Sequence, residues 1–174
     1  MLMEWFRSFF FYFLIYSFLG WIIEGLFTLA TKGYFIKPNF LFFPIKPMYG
    51  FAAVWLIELK SILPMGLFLI AAFFIPSIIE YLTAYVLSHL FHLKYWDYSH
   101  CAYQLSGYIC LRFSIYWFFL CLSLIYGLHP YVAYFYTQIH VFWFYFFPTS
   151  LFVFLTDLVL TFHHKPIYWS KQRS

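Results

Sequence analysis

PMGLFLIAAFFIPSIIEYLTAYVLSHLF, residues 64–91, decides the fold class. It holds a single charged side chain, Glu80. At about 1.5 Å per residue a helix over it measures about 42 Å, enough to cross a hydrocarbon core of about 30 Å. Backbone amides have no water partner there, so a single apolar run satisfies them only as a helix.

Working outward, apolar runs of the same kind occupy 8–30, 48–63, 107–128 and 131–162. The second is interrupted. Pro44, Lys46 and Pro47 break the run 40–59, and proline neither continues a helix nor favours one in the residue before it. A regular helix is therefore expected only from about Met48, after an extended stretch. The expectation is an all-α, polytopic transmembrane bundle of five spans, filling 1–174 as one domain.

Composition agrees. The chain is 65% hydrophobic and 9% charged, whereas soluble domains run near 25% charged. The formal charge of +4 is dispersed. With no Lys/Arg run, nucleic acid is not expected as a partner; the lipid bilayer is. The first segment lacks a cationic lead and a cleavage site, so it reads as a retained span. Cys101, Cys110 and Cys121 are odd in number, against a closed disulfide framework. His89, His92, Asp97 and His100 read as interfacial side chains rather than ligands, so no metal and no cofactor is expected.

Basic residues set the orientation. With five spans, Arg7 and Lys60 fall on one side. Lys32, Lys37, Lys46, Lys94, Arg112, Lys165, Lys171 and Arg173 fall on the other, which makes that side cytoplasmic. The amino terminus is then outside, the carboxy terminus inside, and the chain a multi-pass protein of the cell membrane.

Glu24 and Glu80 lie well inside apolar spans, where an ionised carboxylate costs about 2.5–3.5 kcal/mol on insertion scales. Counting from Ser8 and Pro64, both lie about 24 Å down a core of about 30 Å. Arg112 lies about 8 Å in from the cytoplasmic end of its own segment, so the three are expected to share one layer. Small and polar residues recur on their faces: Ser17, Gly20, Thr28 and Thr31; Ser77, Ala84 and Ser88; Gly107, Cys110, Ser114 and Cys121. Such stripes mark the sides on which membrane helices meet. Two readings stay open: folding glue, with Glu24 or Glu80 paired with Arg112 or kept neutral and hydrogen-bonded to Tyr or Ser, or a ligand, ion or proton site. Asp157, beside His163, His164 and Lys165, reads as interfacial.

The connection after Leu90 carries Tyr95-Trp96-Asp97-Tyr98-Ser99. Trp96 suits a membrane–water interface, and Asp97 followed by Ser99 suits a turn or cap. Gly107 is expected to open the fourth span.

With FLGWIIEGLF at 18–27, FLFFPIKPMYGFAA at 40–53, EYLTAYVL at 80–87 and YWDYSHCAYQLSGYICL at 95–111, the chain resembles the ABC-transporter type IV (CmpB-like) membrane proteins over about 18–117. The resemblance carries over Gly20, Trp21, Glu24, Pro44, Pro47, Tyr49, Gly50, Glu80, Tyr81, Trp96, Asp97, Tyr98, Ser99, Gly107 and Trp117. This chain departs from the family at Lys37-Pro38-Asn39, Phe43, Ser88, Gln104, Tyr108 and Arg112. It resembles a divergent member, and Arg112 is its own peculiarity.

The resemblance implies a permease-like, transport-associated subunit. The candidate binding residues are Glu24, Tyr49, Glu80, Asp97, Tyr98, Ser99 and Arg112. Gly20, Trp21, Pro44, Pro47, Gly50, Tyr81, Trp96 and Gly107 are the structural motif. No Gly-x-x-x-x-Gly-Lys-Ser/Thr loop occurs, so a separate ATPase or a second copy is the expected partner. An intramembrane enzyme acting on a lipid, using paired carboxylates as acid and base, and a non-catalytic scaffold are the alternatives.

Overall fold

A computed structural model of the chain describes residues 2–35 and 39–171, with side chains as far as His164. Lys37, Arg173 and the side chains of Lys165 and Lys171, used in the charge count, lie outside the described residues, as does the departure at Lys37-Pro38.

Helix α1 spans Leu2–Lys32. It stops at Gly33, whose φ of 78° and amide bond to the Leu29 carbonyl form the usual left-handed end. Helix α2 spans Pro47–Ile62. Proline at the first helical position loses no bond, and Lys46 before it is extended, so the helix starts where the prolines said it would. Helix α3 spans Met65–Leu90 and carries Pro76 in its interior. There the Ser77 hydroxyl donates to the Phe73 carbonyl at 3.2 Å, one turn back.

A two-stranded hairpin follows, β1 Gln104–Leu105 against β2 Ile109–Cys110. The strands are antiparallel, with Gln104 opposite Cys110. Helix α4 spans Leu111–Leu122, passes through a π turn at Ser123–Leu128, and continues as α5, His129–Lys171. The fourth segment thus starts at Leu111 rather than at Gly107. The loop expected at 128–131 is helix instead. Pro130 cannot donate to the carbonyl one turn back, and the wider turn just before it accommodates that missing bond.

Among the described residues, three helices are long and apolar enough to cross a membrane: Leu2–Lys32, Met65–Leu90 and Leu111–His164. This is an all-α membrane protein. The 16 residues of α2 reach about 24 Å, short of a full core.

A straight helix of 54 residues would measure about 80 Å. Its contacts with α1 change direction instead. His129 meets Tyr16 (2.8 Å, ring nitrogen to hydroxyl), Tyr136 meets Phe11 and Tyr12, and Trp143 donates to the Arg7 carbonyl at 2.9 Å. Then Phe147 meets Phe6 and Phe10, and Phe154 meets Phe10 and Phe13. Travel along α1 runs down to Phe6 and reverses after Phe147, next to Pro148.

The inward faces are those of the small-residue stripes. Ser17, Thr28, Ser77, Ala84, Cys110, Ser114 and Cys121 are buried, Ser88 is half-buried and Thr31 is exposed, and the Ser77 and Ser114 hydroxyls bond at 2.9 Å. Met48, Leu56, Phe68, Ala72, Trp117 and Cys121 form the core between α2, α3 and α4.

Asp157, expected at the interface, is buried. Its carboxylate accepts the backbone amides of Phe42 and Phe43, each at 2.9 Å, and the Thr161 hydroxyl at 3.1 Å. It fastens the proline-rich stretch to α5. Asp157→Leu is expected to speed hydrogen exchange at the Phe42 and Phe43 amides by about tenfold or more, since a bond to a charged group contributes about 1.5–3 kcal/mol. Exchange mass spectrometry over 39–46 reads this directly.

Candidate functional site

The site is built from the Trp96–Ser99 loop inward. The Asp97 carboxylate accepts the Ser99 amide at 2.9 Å and the Lys94 ammonium at 2.6 Å. Gly107 closes the loop, with φ 70° beside Ser106 at 56°. A side chain at Gly107 would stand 3.1 Å from the Asp97 carboxylate, so glycine serves both the turn and the close approach. Trp96 Nε1 donates to the Tyr108 carbonyl and the Tyr98 amide to the Gly107 carbonyl, each at 2.9 Å. The hairpin therefore holds both ends of the motif.

The Lys94 ammonium first, and the Ser99 amide next, hold the Asp97 carboxyl well below the usual carboxylate range. A lowered pKa contributes stability that is present above the unfolded value, near 3.9, and lost as pH falls through the folded one. The loop is therefore expected to keep its order through mild acid, and Asp97→Asn to loosen it at neutral pH. Ser99 and Gly107 amide resonances check both.

With the loop held, Tyr98 points into the bundle. Its ring stacks on Phe113 at 4.6 Å, and its hydroxyl donates to Glu80 Oε1 at 3.2 Å. Trp117 Nε1 donates to Glu80 Oε2 at 3.0 Å. Glu80 is 3% exposed, so these donors answer a carboxylate that is almost wholly buried.

Glu24 sits across from it. Lys46 Nζ is 2.8 Å from Glu24 Oε2, with both side chains 11% exposed. The Lys46 amide donates to the Ser17 carbonyl at 2.9 Å, which anchors the start of α2 on α1. Tyr49 follows one turn later. Its ring lies 4.6 Å from that of Trp117. Gly20 on α1 leaves the space that the Tyr49 ring fills.

Glu24, Tyr49, Glu80, Trp96, Tyr98 and Trp117 line one chamber of about 160 Å³. A second cavity adjoins it, an open groove of about 450 Å³ between α2, α3 and the end of α5. The two share Glu24, Met48 and Trp96 as a common wall.

Other candidates lie elsewhere. Arg112 is exposed, and its Nε donates to the Tyr116 hydroxyl at 3.1 Å. It pairs with neither glutamate, because the hairpin delays the start of α4 and leaves Arg112 in the first turn, facing outward. Asp97 and Ser99 stay in the loop as turn formers. Trp21 packs on Phe35 and Tyr81 on Tyr108, both outside the chamber wall. Lys46 was read only as a flanking charge. A cation between two prolines in an apolar run was the available signal, by the same reasoning that singled out Glu24.

The family model described as Putative ABC-transporter type IV matches residues 11–162. The chain belongs to that family. No curated protein matches it, and no solved structure does. Every chamber residue named above, from Glu24 to Trp117, falls inside the span matched as Putative ABC-transporter type IV.

Proposed function

We propose that this chain is a multi-pass subunit of a transport assembly in the cell membrane, with its amino terminus outside and a ligand chamber in the cytoplasmic half of the bundle. The observation that carries the reading is the convergence of Glu24 from α1 and Glu80 from α3 on one chamber. Charged groups at membrane depth are costly, and those facing a cavity mark ligand and ion pathways. Five crossings follow if α2 counts as one and the helix from Leu111 as two. The reversal of its contacts along α1 supports that count. The pairing of Trp5 with Glu58 at 2.9 Å puts the start of α1 beside the end of α2, so Arg7 and Lys60 share the sparsely charged side.

The chain lacks a nucleotide-binding loop, so a transport role requires a separate ATPase or further copies of itself. Purification in a mild detergent is expected to recover one of these at fixed stoichiometry. A monomer without a partner, from cells in which Glu80→Gln causes no loss of transport, is the result against the reading. Single cysteines at Ser61 and Lys94 are expected to be labelled from opposite sides of the membrane.

A further inference from the structure

The chamber walls are unusual in kind. Besides the two carboxylates they hold Phe27, Tyr49, Trp96, Tyr98, Phe113, Tyr116 and Trp117. Among the described residues no cationic side chain lines the chamber itself; Lys46, which lines the groove, pairs with Glu24 at 2.8 Å, so the two carboxylates outnumber the one cation beside them. The rings are fixed rather than free. Tyr98 is tied to Glu80 and stacked on Phe113, Trp117 is tied to Glu80, and Tyr49 is wedged between Gly20 and Trp117. Aromatic faces carry negative potential, and rings set around a carboxylate attract an organic cation whose charge is spread over methyl or methylene groups. Among the described residues no group of three or more His, Cys, Asp or Glu side chains gathers that could hold a metal ion. At about 160 Å³ the chamber is well under the ~300 Å³ at which pockets for drug-sized molecules begin, and is suited to a compact head group.

The groove supplies what a head group alone would lack. It meets the chamber at Glu24, Met48 and Trp96, and continues along Phe51, Leu82, Val86 and Leu158. Its wall is apolar away from the shared end. Glu24 and Glu80 lie about 6 Å in from the nearer membrane face by the depth count, where the polar end of a lipid-like molecule approaches.

We propose that the chamber binds the ammonium group of an amphiphile whose alkyl chain lies in the adjoining groove. The proposal rests on the reading of Glu24 and Glu80 as a ligand chamber and names the ligand's chemistry.

The test uses the full chain in nanodiscs of phosphatidylglycerol, a lipid without an ammonium group. Dodecyltrimethylammonium, tetramethylammonium and 1-dodecanol are the probes, read by tryptophan fluorescence and by thermal stability. Dodecyltrimethylammonium is expected to saturate both signals. Tetramethylammonium is expected to bind at least about tenfold more weakly, because it leaves the groove empty. Glu80→Gln is expected to abolish saturation. Phe27→Leu and Tyr116→Leu change side chains that are 52% and 48% exposed, so folding is preserved. Each is expected to weaken binding about fivefold through loss of a ring face. Equal affinity for 1-dodecanol overturns the ammonium assignment. Equal affinity for tetramethylammonium overturns the role of the groove, and unchanged affinity in both leucine variants overturns the cage. Binding is measured on the chain alone, so its failure beside a recovered partner ATPase leaves the transport-subunit reading standing.

Discussion

Glu80→Leu is expected to cost the protein about 2–6 kcal/mol, since each buried donor left without a partner costs about 1–3 kcal/mol and the change orphans two. They are Trp117 Nε1 and the Tyr98 hydroxyl, at 3.0 and 3.2 Å from the carboxylate. Interhelical hydrogen bonds in membranes average nearer 0.6 kcal/mol, because helices unfolded within lipid find other partners, which favours the lower end of that range. Glu80→Gln retains one acceptor and is expected to lose about 1 kcal/mol or less. Equilibrium unfolding in mixed micelles measures the difference. A leucine variant as stable as the glutamine variant would mean that neither donor depends on Glu80. The pair also separates two roles, since glutamine preserves most of the packing and removes the charge.

Gly50→Ala is expected to destabilise by about 1–3 kcal/mol or more, the range for forcing a carbon into a packed contact. A methyl group at Gly50 would meet the Ser17 hydroxyl and stand 2.6 Å from the Phe13 carbonyl oxygen. The carbonyl belongs to helix backbone and cannot swing aside, so α2 itself must move off α1. Gly20→Ala meets the ring of Tyr49 instead, and is expected to shift that ring from Trp117 and deform the chamber. Gly66→Ala is the control. Nothing stands within 4 Å of its added carbon, and alanine in a helix is favoured over glycine by about 0.5–1 kcal/mol. Thermal unfolding of the three variants is expected to rank Gly66→Ala above the parent chain and Gly50→Ala lowest.

The residues that announced the bundle did so by composition, and composition is what a bilayer reads. The run 64–91 and the prolines before Met48 placed α3 and the start of α2 to within a residue or two. Glu24 and Glu80 were legible because a carboxylate in an apolar run has few explanations. Of their partners, a tyrosine was legible by type, but neither Tyr98 nor Trp117 by position. Depth counting sent Arg112 to the carboxylates, but depth says nothing of azimuth, and two hairpin strands too short to show a pattern displaced the start of α4. Lys46 was hidden among flanking charges, and its approach to Glu24 depends on a backbone bond from Lys46 to Ser17 that no local pattern encodes. Asp157 was obscured similarly, because its partners are backbone amides more than a hundred residues away. The break expected between 128 and 131 is helix, although Pro130 lies in it. Inside a membrane protein, neighbouring turns absorb the lost bond.

The π turn at Ser123–Leu128 bears on how this chain tolerates change in length. Its ladder includes the His129 amide bonded to the Leu124 carbonyl, five residues back rather than four. Such a turn encloses one residue more than an α-helical turn, while the helices on either side keep the phase of an uninterrupted rod. The surplus residue is therefore confined to one loop of backbone. Removing one residue from within 123–128 shortens that loop to an ordinary turn and leaves His129 facing Tyr16, Trp143 facing Arg7 and Asp157 facing Phe42. Removing one residue anywhere from 131 to 141 instead rotates everything beyond it by about 100° and takes Trp143 and Asp157 away from their partners. A one-residue deletion in the second half of this chain thus has a site, within 123–128, at which the register of the contacts beyond it is kept.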